Sequence, residues 1–164
     1  MSAVRSTAPI FVLGGYQTDF ARSWGREGKS IADGMREAID GALMASGVDA
    51  GAIEAGHVGN FIGELLCDQG HLGGLFVEAR PAFRGLPTSR HEAACASGGV
   101  ATLAAMADLE AGRYDVACVV GVEMMRHRGG FEAQKKLGVA AGKPRDIEGF
   151  EFPWASILSD IGDE

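Results

Sequence analysis

Strand-length runs recur along this chain with helix-length stretches between them, and that alternation restricts the fold more than any other feature. The runs are residues 9–14 (PIFVLG), 58–62 (VGNFI), 88–94 (TSRHEAA) and 115–120 (DVACVV). The first and last are nearly continuous apolar segments, the pattern of strands buried on both faces. Between the first two, Ser30 stands three residues before Asp33, which approximates a capping box and opens a helix. Ile31, Met35, Ile39 and Leu43 then repeat every fourth residue, and Gly47 ends the pattern. Residues 63–76 form a glycine-broken, helical piece. Residues 97–111 read as a further helix with Val100, Leu103, Ala104 and Ala107 on one stripe and Gly112 as its stop. Strands alternating with helices at this spacing predict a layered α/β fold with a mostly parallel sheet.

After Met125 the character changes. Residues 126–143 are richer in Gly, Arg and Lys, and residues 150–161 hold aromatics without a clear period. We therefore expect residues 1–125 to form an incomplete amino-terminal core domain, with residues 126–164 beginning an inserted or second unit. The length of 164 residues is enough for one hydrophobic core.

A net charge of −7 and a pI near 5.1 argue against nucleic-acid binding, which needs a concentrated basic surface. No apolar run approaches the roughly 20 residues of a membrane-spanning helix, and residues 1–9 lack the apolar core of a secretory signal. Cys67, Cys95 and Cys118 make an odd count without paired spacing, so a reducing, cytoplasmic location is expected.

The chemistry concentrates in residues 91–99, His-Glu-Ala-Ala-Cys-Ala-Ser-Gly-Gly. Cys95 falls where a strand ends and a helix begins. Unpaired N–H groups and the positive end of the helix dipole favour a thiolate there, and can hold the oxyanion formed when a thioester is attacked. Small neighbours leave room for a substrate. These features suit a thiol that accepts an acyl group and hands it on. A cysteine among small residues also suits a packed core position, and spacing alone does not separate the two.

Ala-Cys-Ala-Ser-Gly-Gly, an Ala-rich helix, Ala-Gly-Arg-Tyr-Asp-Val-Ala and Val-Gly-Val-Glu-Met-Met together resemble the thiolase family, on the side of the archaeal-type and sterol-carrier-type enzymes. The resemblance runs over residues 9–126 and takes in Asp19-Phe20 and Gly59-Asn60. It implies the amino-terminal half of a layered thiolase-like fold. It also implies that Cys95 is the catalytic residue S-acylated from an acyl-CoA, in thiolysis of a 3-ketoacyl-CoA or in Claisen condensation. Coenzyme A thioesters would be substrates, with no separate cofactor. The family's second cysteine and its histidine have no counterpart in these 164 residues. Where degradative thiolases carry Asn-Arg before the nucleophile, this chain has Glu92-Ala93, which points away from the β-oxidation type. A homodimer or homotetramer is implied, and an OB-fold or synthase partner is compatible with it. Other readings are a thiolase-like condensing enzyme or lyase, and a non-catalytic subunit of a larger complex.

Three features are expected to mean less. Gly28-Lys29-Ser30 lacks the earlier glycine of a phosphate-binding loop, where Ser23 stands. Cys67 and His71, with His57 nearby, are too scattered for a metal site. Arg126, His127, Arg128, Lys135 and Lys136 form one basic cluster, in the region where thiolases bind the CoA nucleotide.

Overall fold

A computed structural model describes residues 9–125. The expected inserted unit and the basic cluster from Arg126 to Lys136 lie outside the described residues.

Helix α1 (Ile31–Ser46) forms where the apolar period and the end signals agree. Ser30 Oγ accepts from the Asp33 N–H, and the Asp33 carboxylate accepts from the Ser30 N–H at 2.8 Å, so two orphan donors are satisfied. Gly47 closes the helix at φ 68°, donating its N–H to Leu43 O, a conformation open to glycine at little cost. Ile31, Met35 and Ile39 are buried.

Three parallel strands follow: β1 (Ala55–Gly59), β2 (Thr88–His91) and β3 (Ala117–Gly121), in the order β2-β1-β3. Gly56 faces Thr88 on one side and Cys118 on the other. The chain therefore moves from the middle strand to one edge, then back across to the other edge. Parallel crossovers are right-handed, so a reversal of direction puts successive helices on opposite faces. That is the arrangement found. The α3 helix (Leu72–Glu78) packs with α1 on one face, preceded by the short α2 (Gly63–Cys67); α4 (Ser97–Glu110) covers the other.

The strand alternation makes the two faces different in kind. Val58 and Val120 point toward α1 and α3, into a core with Met35, Ile39, Leu72, Phe76 and Phe83. The Phe76 and Phe83 rings stack at 5.0 Å between centroids. Gly56 makes room for this: a Cβ there would collide with the Phe76 ring. The α4 face is thin and small-residued, with Ser97, Ala101 and Ala105 buried against the sheet. A Cβ on Gly59 would lie 2.7 Å from the Gly98 Cα, so helix and strand meet backbone to backbone.

Three expectations need correction. Residues 9–14 form no strand: Val12 is 93% exposed, and the segment pairs with no sheet edge among the described residues. Without a partner edge, an apolar run has nothing to satisfy its N–H and C=O groups as a strand. The second run is a strand over Ala55–Gly59 rather than residues 58–62, because Ile62 already caps the next helix. In α4 the predicted stripe is the outward one. Val100, Leu103 and Ala107 are exposed, while Ser97, Ala101 and Ala105 face the sheet. Close approach at Gly59 admits only small side chains, so size and not hydrophobicity chose the inner face.

Candidate active site around the Cys95 turn

Cys95 is exposed and sits in the single 3₁₀ turn Ala94–Ala96 between β2 and α4. The turn reverses the chain sharply because Ala94 adopts φ 50°. A non-glycine residue in the left-handed region costs about 1–2 kcal/mol, so surrounding bonds must hold it. Three do so. The Ala94 N–H donates to Glu92 Oε1 at 2.7 Å. The Ala93 N–H donates to Ser97 Oγ at 3.0 Å, and the Ser97 hydroxyl donates to Ala94 O at 2.7 Å. Glu92 and Ser97 thus brace the turn from both sides. The sequence reading noted neither in that role, although Ser97 stands at the first helical position of α4.

No side chain caps the α4 N-terminus. Beside it, a Cβ at Gly98 or Gly99 would meet nothing within 4 Å, so the surface next to the sulfur is open. An exposed thiol at the foot of an uncapped helix with clear space around it can meet a carbonyl-bearing ligand. Among the described residues, Cys95 is not packed into a core.

The other two cysteines are set apart. Cys118 lies within β3, and burial pushes its thiol up to about 11. Cys67 ends α2 and packs against the α1 side of the sheet. His57 belongs to the α4 face, so strand alternation separates the two. His71 is exposed at the start of α3. Among the described residues no group of three or more His, Cys, Asp or Glu lies together as a metal site. Lys29 lies 3.6 Å from Glu27 and 3.7 Å from Glu37, an ion pair beside the α1 cap.

At the carboxyl ends of the strands, a buried Asn60 ties the sheet together. Its side-chain amide donates to Val122 O at 2.7 Å and to Glu123 Oε1 at 3.2 Å, and its carbonyl accepts from the Gly63 N–H. Glu123 Oε2 accepts from the Phe61 N–H. Burial pushes the Glu123 carboxyl upward, against those hydrogen bonds and the Arg90 charge. Arg90, next to the strand end leading to Cys95, donates to Phe61 O at 2.7 Å and pairs with Glu64. Sequence reading marked the Gly59-Asn60 strand end but not these partners, which lie more than 60 residues away for Asn60 and Glu123.

The fold is an open parallel α/β sheet whose edge strand delivers an exposed cysteine to a helix start at the carboxyl ends of the strands, where such sheets hold their ligands. The comparisons narrow this. The family model for the thiolase N-terminal domain matches residues 10–144. The acetyl-CoA acetyltransferase of Methanothermobacter thermautotrophicus is 34% identical over 116 residues, which is 71% of this chain and 29% of that protein. The acetyl-CoA acetyltransferase of Methanocaldococcus jannaschii is 35% identical over the same shares. This chain belongs to the thiolase family, and the region it shares with these relatives spans 29% of their length.

Proposed function

We propose that this chain carries the nucleophile of a thiolase-type acyl-CoA C-acyltransferase, and that the nucleophile is Cys95. The observation supporting this most strongly is the exposed thiol at the foot of α4, behind a left-handed Ala94, in a chain of this family. In the first half-reaction the Cys95 thiolate attacks the carbonyl carbon of an acyl-CoA or 3-ketoacyl-CoA. The oxyanion collapses and S-acyl Cys95 remains: from an acyl-CoA the C–S bond breaks and the CoA thiolate leaves, and from a 3-ketoacyl-CoA attacked at its keto carbon the C2–C3 bond breaks and acetyl-CoA leaves as its carbanion. N–H groups of the α4 start are the local donors for the oxyanion. In the second half-reaction the acyl group passes to the CoA thiol or to the carbanion of an acyl-CoA. The groups that move protons in those steps have no counterpart in these residues, and the proposal assigns them elsewhere in the active assembly. We extend it to a homo-oligomer, with CoA held by the region from residue 126 onward.

Intact-protein mass spectrometry after incubation with acetyl-CoA tests the central claim. The expected result is one acetyl adduct that maps to Cys95 and disappears in Cys95→Ala. An adduct that persists in Cys95→Ala, or acyl transfer at the wild-type rate without this thiol, would overturn it.

A further inference from the structure

A chain of polar side chains runs across the α4 face of the sheet, next to the Cys95 turn, and the acyl-transfer chemistry above does not use it. His57 on β1 is 4% exposed. Its Nδ1 lies 3.1 Å from His91 Nε2, with the rings stacked at 5.3 Å between centroids. His91 Nε2 also lies 2.8 Å from Ser89 Oγ. On its other side, His57 Nε2 lies 3.5 Å from Asp108 Oδ2 of α4, and Asp108 pairs with Arg113 at 3.3 Å. At 3.5 Å Asp108 is an electrostatic neighbour and not a hydrogen-bond partner, so His57 Nε2 is a buried polar atom without one.

The location gives the chain its meaning. His91 is the last residue of β2, the strand that leads into the Cys95 turn, and Asp108 sits on the helix that leads out of it. His57, on the central strand, joins the two. His91 Nε2 has one lone pair or one proton, shared between Ser89 Oγ and His57 Nδ1, and the bond between the rings needs one proton between the two nitrogens. With one, Nδ1 and Nε2 form a donor and acceptor pair. With both rings charged, the two facing nitrogens are both donors, and the contact becomes repulsive.

We propose that His57 and His91 are positioning residues for Cys95: their shared-proton bond holds the end of β2 against the sheet beneath α4, and it opens when both rings take up protons. The groups that face His57 are His91 from β2 and Asp108 from α4; β3 presents Val119 beside it, and Arg113 reaches it only through Asp108. Burial first, and His91 second, depress His57 protonation, while Asp108 favours it. Protonation of His57 is thus displaced to the acid side. The inference rests on the proposed role of Cys95 for its functional meaning, but not for its test.

The test is the pH dependence of Cys95 alkylation by iodoacetamide, read by mass spectrometry on the native polypeptide. Loss of the thiolate alone gives a first-order fall in rate toward acid. With the histidine pair coupled to the turn, the wild-type fall becomes steeper than first-order on the acid side. In His91→Gln an amide carbonyl can accept from His57 at every pH, so the fall stays first-order. On the acid limb the variant should exceed the wild type roughly tenfold, relative to their rates at neutral pH. Asp108→Asn removes the favourable charge and should move the steep region to lower pH. A uniform drop at every pH in His91→Gln would mean only structural support, and identical wild-type and variant profiles would equally overturn the proposal. If His91→Gln does not fold, Asp108→Asn still decides. Acetyl-CoA labelling remains a separate readout, so failure of S-acylation removes the acyltransferase reading without touching this result.

Discussion

Helices α1 and α4 have similar lengths, 16 and 14 residues, yet they are made in opposite ways. α1 obeys every local rule. It has a capping box, a left-handed glycine stop, and one apolar stripe turned into the core. α4 has no side-chain cap, begins behind a strained alanine, and is apolar nearly all round. Its inner face is chosen by closeness to Gly59, and its outer face leaves Val100, Leu103 and Met106 in the open. A helix that is hydrophobic on all sides is ordinarily covered on all sides. The contrast separates a helix held by its own local signals from one held by close backbone contact with the sheet.

The largest expected effect in that comparison comes from the α4 contact itself. Gly59→Ala places a Cβ 2.7 Å from the Gly98 Cα, backbone against backbone, where no flexible side chain can yield. We expect destabilisation of about 3 kcal/mol or more, seen as a lower urea midpoint. A neutral result would show that α4 is not seated on β1 as described. Next come matched truncations on the two helices. Met35→Ala on α1 removes a fully buried side chain and should cost about 2–4 kcal/mol. Leu103→Ala on α4, at 64% exposure, should cost less than about 0.5 kcal/mol. Equal losses would mean that the outer face of α4 is covered in solution. The α1 cap falls between those two truncations: Ser30→Ala should cost about 1 kcal/mol in thermal or urea unfolding, with no change in Cys95 alkylation.

The same contrast explains what the sequence made legible. α1 could be read residue by residue, since Ile31, Met35, Ile39 and Gly47 report local physics. The α/β class followed from the spacing of elements, and the thiolase resemblance from the residues around Cys95. The α4 stripe was misread because its inner face is set by a glycine some 40 residues earlier, and apolar periodicity cannot see that constraint. Residues 9–14 have strand composition, but composition cannot supply an edge to pair with. In the site, Cys95 stood out as a nucleophile candidate through its small neighbours. Glu92, Ser97, Asn60 and the His57–His91 pair did not, because their roles depend on partners that only the folded chain brings near.

The strand order has a consequence for synthesis. Gly56 belongs to the middle strand, yet it is made before both of its neighbours, which carry Thr88 and Cys118. As the chain leaves the ribosome, β1 must wait with both edges open. Pairing with β2 becomes possible before β3 exists, and so does assembly of the Cys95 turn. Parallel pairings across such separations close slowly. The nascent chain therefore passes through a stage with the Cys95 turn already made and one edge of β1 still bare, when an unpaired strand is most open to misassociation.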